Sequence, residues 1–323
     1  MTDELGFAPD LYQGTAGDYD RYRLPYPEAM TRDLIQRAGV SGDGRLLDLA
    51  CGTGQLAFPL HRWFSDVWAV DREPDMVQVV LAKADAAAAE NIRPIVADAE
   101  TLDAPRGHFE LAVIGNAFHR LDRDLVAARL FRWLRPGGCV ALCWSDGPHR
   151  GGEQWQRALA VTLDSWRAAL GAERRVPANW DEPRRLRPDQ QVLADAGFGA
   201  AVHHEFAVEH RWTLPELAGF IRSTSFLPSS VLGVQEAAFG ADLAAALGPF
   251  AMDGAFWETV SFAYDLARKP GAQGHASTQS GSDPRASDRS WVSQVGIFLG
   301  GAAVISIQFD WTGGTWRSRM YVR

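Results

Sequence analysis

The stretch Leu46-Leu47-Asp48-Leu49-Ala50-Cys51-Gly52-Thr53-Gly54-Gln55-Leu56 decides the fold. It passes from an apolar run, through a tight glycine turn, into residues that can start a helix. Gly52 and Gly54 lack a Cβ, so a ligand can approach the backbone closely there. Ala57 is small, as helix–strand packing requires at that point. Asp71 closes a second apolar run about 20 residues after the turn, where a carboxylate can accept hydrogen bonds from both ribose hydroxyls of an adenosine. A glycine turn alone says little. With the strand before it, the helix after it and Asp71 in place, it predicts a nucleotide-type site in the crevice beyond the strand ends.

Outward from this turn, residues 45–144 alternate strand and helix. Strands are predicted at Arg45–Ala50, Val67–Val70, Ile92–Ala97, Phe109–Ile114 and Cys139–Trp144. Helices are predicted at Gly54–Phe64 and at Pro74–Ala89, the latter with Met76, Val79, Val80 and Ala84 on one face. A third, capped by Asp122, carries Leu125, Val126, Leu130, Trp133 and Leu134. Strands alternating with helices argue for a parallel sheet covered on both faces. Further on, Glu153–Leu170, Pro188–Ala196 and most of 214–247 read as helix, with breaks at Pro228 and Gly233. Ala201–Val208 and Phe256–Ala267 read as strands.

The expected domain is therefore 1–270. Its core comprises about 30–145, 186–210 and the strand 256–267, with a cap drawn from 1–28, 145–185 and 211–254. Residues 271–290 are Gly, Ser and polar, the composition of a flexible linker. Trp291–Arg323 is an apolar, strand-like tail of unknown role, with Gly313-Gly314 as a turn signal.

The chain has 323 residues, ordinary globular composition (46% hydrophobic, 22% charged) and a formal net charge of -8. An overall negative field disfavours nucleic acid as a partner. The apolar stretch Val295–Ile307 is shorter than the ~20 residues that span a bilayer, and Met1–Asp10 is polar and acidic. A cytoplasmic protein with no membrane partner is expected; a homodimer is left open. Cys51, Cys139 and Cys143 lack zinc-ligand spacing, and neighbours such as His203 and His204 on a strand point to opposite faces, so no metal site is expected.

Asp48 discriminates between nucleotides. A dinucleotide would lay a pyrophosphate on the helix N-terminus, and a carboxylate just before the turn repels it. The same carboxylate suits the ammonium of S-adenosylmethionine. Asp98, at the end of the third strand, has two readings: acceptor for the adenine amino group, or helix N-cap.

Several segments together resemble the successive signatures of class I methyltransferases, in particular the type 11 group of small-molecule enzymes. They are Leu-Asp-Leu-Ala-Cys-Gly-Thr-Gly at 47–54, Val-Asp at 70–71, Ala-Asp-Ala-Glu at 97–100 and Leu-Arg-Pro-Gly-Gly at 134–138. Tyr19-Asp20-Arg21-Tyr22-Arg23-Leu24-Pro25-Tyr26-Pro27, Phe118-His119-Arg120, Ser223-Thr224-Ser225-Phe226 and Ala267-Arg268-Lys269-Pro270 are also similar to that group, with Arg120 where it has Trp. The resemblance covers about 12–270. It implies an α/β, doubly wound, mostly parallel seven-stranded Rossmann-like sheet with helical cap insertions, and S-adenosyl-L-methionine as cofactor. It also implies that Asp48, Ala50, Gly52, Gly54, Asp71, Arg72, Asp98, Ala99 and Asn116 line the cofactor. Tyr19 and Arg23 would close over its methionine end, Arg23 either pairing with the carboxylate or remaining a surface residue.

The acceptor side is thinner. The loop Gly115–His119 should face the sulfonium, and His119 is the candidate general base, against a structural histidine. Trp155, Trp166, Trp180, Trp212 and Phe226 are candidates to roof the pocket of a small-molecule acceptor. The expected activity is methyl transfer to O, N or C of a small metabolite. The alternatives are a nicotinamide-dependent oxidoreductase on a similar sheet and a cofactor-binding protein without transferase activity.

Overall fold

A computed structural model describes residues 7–8 and 10–271, together with three strands within 293–322. Seven strands build the main sheet: β1 (Arg45–Leu49), β2 (Asp66–Asp71), β3 (Ile92–Val96), β4 (Phe109–Gly115), β5 (Leu134–Ser145), β6 (Val202–Thr213) and β7 (Ala255–Arg268). Their order is β3-β2-β1-β4-β5-β7-β6. The first five pair in parallel, whereas β7 is antiparallel to both neighbours. The winding direction reverses between β1 and β4, which opens a crevice at their carboxyl ends.

Strands covered on both faces read as continuous apolar runs, and the pleat sorts them. Leu46, Val67, Ala69, Leu111 and Val113 pack with Met30, Leu34, Leu60 and Val80 on one face. Leu47, Leu49, Val70, Ala112 and Ile114 pack with Val126, Leu130 and Trp133 on the other. The covering helices are α1 (Ala16–Tyr22), α2 (Glu28–Ala38), α3 (Ala57–Leu60), α4 (Pro74–Ala87) and α5 (Arg123–Trp133). Asp122 caps α5 by accepting from Leu125 N at 3.0 Å. In α4, Val77 rather than Val79 turns fully inward.

The helix expected over Gly54–Phe64 is shortened to α3 and a 3-10 turn at His61–Trp63. Gly54 has φ +83°, so helical geometry starts only beyond it, and Pro59 offers no N–H to the preceding turn. The shortening brings the Ala57 N–H to Asp48 Oδ2 at 2.8 Å.

The later helices are α6 (Gln154–Ala169), α7 (Glu182–Leu186), α8 (Asp189–Asp195), α9 (Leu214–Arg222), α10 (Ser229–Leu232) and α11 (Glu236–Leu247). Residues of α8 join the sheet core, whereas α6, α9, α10 and α11 share a separate cap core containing Trp155, Leu159, Trp212, Phe220, Phe239 and Leu243. The helical run Ser229–Phe250 is long and apolar enough by composition to cross a membrane, and it buries Leu232, Phe239, Leu243 and Leu247 in this core.

The chain divides between Ala272 and Gln273 into two units. The second contains β8 (Ser293–Leu299), β9 (Ala303–Thr312) and β10 (Thr315–Val322), an antiparallel sheet in the order β10-β9-β8. The linker expected at 271–290 lies, beyond Gly271, outside the described residues, as do Gly313 and Gly314; Thr312 and Thr315 on either side pair with each other.

Candidate active site

The crevice begins with strained backbone. Ala50 (φ +55°) and Asn116 (φ +52°) directly follow β1 and β4, and both are non-glycine residues in the left-handed region. Such conformations persist where the surroundings over-determine them, commonly at ligand sites. Gly52 (φ +55°) and Gly54 (φ +83°) take the same region without a Cβ clash. Asp71 staples this turn to the end of β2. Its Oδ2 accepts from Gly52 N at 2.7 Å and its Oδ1 from Glu73 N at 3.0 Å. Burial raises the Asp71 pKa, opposed by these two N–H donors.

Asp48 is more exposed to the consequences of burial. One carboxylate oxygen accepts from Ala57 N, while Oδ1 is buried with no hydrogen-bond partner. Burial pushes its pKa up to about 7; the Ala57 N–H opposes the shift and the Asp71 carboxylate adds to it. A buried, half-satisfied carboxylate beside a cavity is a ready partner for a cation.

Two residues of the N-terminal segment close this end. Tyr19, on α1, lies over Gly52: a Cβ there would stand 3.2 Å from its ring. Arg23 follows the end of α1, and its guanidinium sits 4.9 Å from the Tyr19 ring centroid and 4.8 Å from that of Phe220. It donates to Ser223 Oγ at 2.9 Å and Ser223 O at 3.0 Å, and among the described residues no carboxylate lies within ion-pair distance. A small pocket is thus lined by Tyr19, Arg23, Asp48, Ala50, Asn116 and Asp146.

A cavity of about 1000 Å³ opens from the same place toward the cap. Tyr19, Arg23, Asn116, Ser145, Asp146 and Phe220 belong to both walls and form the junction. Asn116 is held there by donating to Ser145 Oγ (3.3 Å) and Tyr26 Oη (3.4 Å) and by accepting from Ser145 N (3.3 Å). The far wall of the cavity carries His119, Arg120, Arg150, Trp180 and Phe226.

The structure thus brings Tyr19, Arg23, Asp48, Ala50 and Asn116 together, with His119 in the adjoining cavity. The other expected residues stand back from both cavities. Gly52 and Gly54 are covered by Tyr19 and Phe58, Ala99 is buried in the core, and Arg72 and Asp98 face each other at 3.6 Å on the surface. The Asp98 side chain makes no N-cap bond; its main-chain carbonyl accepts from Thr101 N and Leu102 N. Of the five expected roof aromatics, Trp180 and Phe226 face the cavity. Trp155 and Trp212 hold the cap core, and Trp166 packs on Phe239 and donates to Asp242.

The base expected at His119 does not fit its surroundings. Arg120 Nε donates to His119 Nε2 at 3.1 Å, which leaves the ring proton on Nδ1. Burial, and then Arg120, Arg184, Arg150 and Arg123, hold its pKa well below the ordinary imidazole value. The ring is a neutral N–H donor whose free lone pair is already taken. Asp146, at the junction, is the carboxylate that sequence reasoning missed; its one signal was its place directly after the fifth strand.

A methyltransferase-domain family profile matches residues 46–138. An uncharacterized methyltransferase of Mycobacterium tuberculosis is 30% identical over 152 residues, 47% of this chain and 58% of that protein. The chain therefore spans less than two thirds of the length of that relative. A demethylmenaquinone methyltransferase of Thermus thermophilus is 30% identical over 163 residues, 48% of this chain and 74% of that protein. The chain belongs to the class I S-adenosylmethionine-dependent methyltransferases. A solved structure assigned as a type II methyltransferase from Anaeromyxobacter dehalogenans shares the class I methyltransferase fold, with a TM-score of 0.51 at 21% identity over 77% of this chain and 98% of that one. Neither the oxidoreductase nor the non-catalytic reading draws support from these relatives.

The cofactor of class I methyltransferases ends in an ammonium, a carboxylate and a sulfonium. The residues present fit it. The orphaned Asp48 Oδ1 matches the ammonium, and the Arg23 guanidinium matches the carboxylate. Both lie on one small pocket against the glycine turn.

Proposed function

We propose that this methyltransferase transfers a methyl group from S-adenosyl-L-methionine to O, N or C of a small-molecule acceptor in the larger cavity. The observation that carries this is the junction: the pocket that suits the methionine end and the cavity that suits an acceptor share Tyr19, Arg23, Asn116, Ser145, Asp146 and Phe220. When bound, S-adenosylmethionine supplies a methyl group on a sulfonium, which is already a good leaving group. Asp48 would hold the ammonium, Arg23 the carboxylate, and Tyr19 would exclude water from the turn. Each Asp71 oxygen keeps a second lone pair for a ribose hydroxyl beyond its backbone bond. Asn116 and Ser145 fix the junction, so that alignment does much of the work. Asp146 stands where a carboxylate can take the proton that an acceptor hydroxyl or amine releases. The cavity fits the size range of small-molecule sites, and the net charge of -8 argues against a nucleic-acid acceptor. A cytoplasmic location remains part of the proposal.

The test is acceptor-dependent release of S-adenosylhomocysteine when the protein is incubated with S-adenosylmethionine and a metabolite extract. Release that rises with extract, and falls in Asp146→Asn, supports the reading. Tight S-adenosylhomocysteine binding with no release in any extract would return the chain to cofactor binding alone.

A further inference from the structure

We propose that the acceptor carries an oxyanion, a carboxylate or a phosphate, which Arg120, Arg150 and the His119 Nδ1–H anchor beside Trp180. The proposal rests on the transferase reading above and names the substrate class of the same cavity.

The charges on the cavity wall do not cancel where they matter. Its lining includes Arg23, Arg120, Arg150, Arg167 and Arg184, and the acids Asp146, Asp164, Glu173 and Asp189. Asp189 is already shared by Arg123 at 2.9 Å and Arg184 at 2.8 Å, and Asp164 pairs with Arg167 at 3.2 Å. Arg23 belongs to the methionine end. Arg120 and Arg150 then remain, with Asp146 at the junction and the exposed Glu173 as the acids left over, and among the described residues neither arginine has a carboxylate within ion-pair distance. Their contacts are to rings and neutral groups instead. Arg120 lies 4.7 Å from the Tyr12 ring centroid, donates to Tyr12 Oη and contacts His119 Nε2. Arg150 lies 4.9 Å from the Trp180 ring centroid.

These two cations converge. The His119 ring, bonded to Arg120, is 5.1 Å from the Trp180 ring that Arg150 covers. The same arginine charges act on both His119 and Arg150. Arg120, Arg184, Arg150 and Arg123 all add to the burial that lowers the His119 pKa. The Arg150 pKa is itself lowered by burial and by Arg120 and Arg184, against the opposing pull of Asp146 and Asp181. Guanidinium pairs are matched to carboxylate and phosphate oxygens by geometry as well as charge. The histidine adds a fixed N–H donor because Arg120 sets its tautomer.

Position separates this anchor from the reacting atom. His119, Arg120, Arg150 and Trp180 line only the larger cavity, whereas Asp146 and Asn116 stand at the junction. The oxyanion therefore orients the acceptor, and the methyl group is received by another atom of the same molecule. Phe118, Phe226 and Val176 add apolar surface to the same wall.

The test uses the full chain saturated with S-adenosylhomocysteine, titrated with benzoate, phenyl phosphate and the neutral isostere benzamide. Expected is binding of at least one anion about tenfold tighter than benzamide, in a salt-dependent manner, with the benzoate and phenyl phosphate arms telling carboxylate from phosphate. Arg150→Gln and Arg120→Gln should each remove about tenfold of anion affinity, with S-adenosylhomocysteine affinity and benzamide binding kept; the retained cofactor affinity also shows that each variant is folded. Equal binding of anion and benzamide, no anion binding at millimolar concentration, or anion affinity unchanged in both variants would overturn the proposal. Loss of S-adenosylhomocysteine binding by the wild-type chain would instead defeat the transferase reading beneath it.

Discussion

The two ends of the crevice are built in different ways. The cofactor end draws on Asp48, Ala50, Gly52 and Asp71, contiguous with one strand–turn–helix–strand unit, and its chief tools are backbone geometry and two carboxylates. The acceptor end gathers Tyr12, His119, Arg120, Asp146, Arg150, Trp180 and Phe226 from loops and cap elements across the chain, and its tools are side chains. A site made by backbone next to its own sequence can be generic to a fold. A site made by side chains delivered from a cap carries the individuality of the protein.

The largest expected effect tests the junction where the two ends meet. Asp146→Asn should lower turnover by about 10²–10⁴-fold while S-adenosylhomocysteine affinity stays near wild type, as read by steady-state kinetics and calorimetry. Equal losses at both ends would erase the distinction. Asp71→Ala works from the other side and should weaken S-adenosylhomocysteine by about 1–3 kcal/mol. It should also lower Tm, because Gly52 N and Glu73 N lose their acceptor.

The third expectation concerns pH. The folded Asp48 carboxyl is raised from 3.8 to about 7. Between those values the native state holds a proton that the unfolded chain has released, so this group's contribution to stability is full below the unfolded value. It declines as pH rises through about 7. An ammonium beside Asp48 favours the ionised form, so S-adenosylhomocysteine affinity should rise with pH through the same range. Asp48→Asn should flatten both dependences; a wild-type affinity independent of pH between about 5 and 8 would show that Asp48 does not face the ammonium.

Much of the cofactor end was legible in the sequence for the reason just given. The glycines, the strand–turn–helix unit and Asp48 follow from residues close along the chain, and the apolar runs of β1, β2 and β4 announce a sheet buried on both faces. Where the structure departs from these expectations, the reasons are equally physical. Gly54 and Pro59 shorten a helix whose apolar pattern was sound. Arg72 and Asp98 stand at the right strand ends but turn to each other on the surface. His119 was read as a base because its position was visible, whereas the Arg120 contact that occupies its lone pair depends on side-chain direction. Arg120 itself was flagged only as a departure from the tryptophan of the resembling group. Trp155 on α6 and Trp212 on β6 could not be told from Trp180 in its turn, since an aromatic that packs a core and one that faces a cavity carry the same sequence signature.

Two smaller effects sharpen the comparison. His119→Gln should leave turnover within about tenfold of wild type and show no loss of an imidazole-range pH dependence, with the change appearing in acceptor KM. A drop of about 10³-fold in turnover would restore the histidine as the base. Truncation after Ala272, at the boundary between the two units, should leave both S-adenosylhomocysteine affinity and the cooperativity of unfolding unchanged; failure to fold would make the second unit part of the first.

The central claim is that Asp48 and Arg23 grip the methionine end of the cofactor and thereby aim the methyl group at the junction. A structure of the S-adenosylhomocysteine complex tests it most directly. The predicted result is the ammonium at Asp48 Oδ1, the carboxylate at the Arg23 guanidinium and the sulfur facing Asn116 and Asp146. An amino-acid end lying elsewhere, with Asp48 and Arg23 untouched, would contradict it.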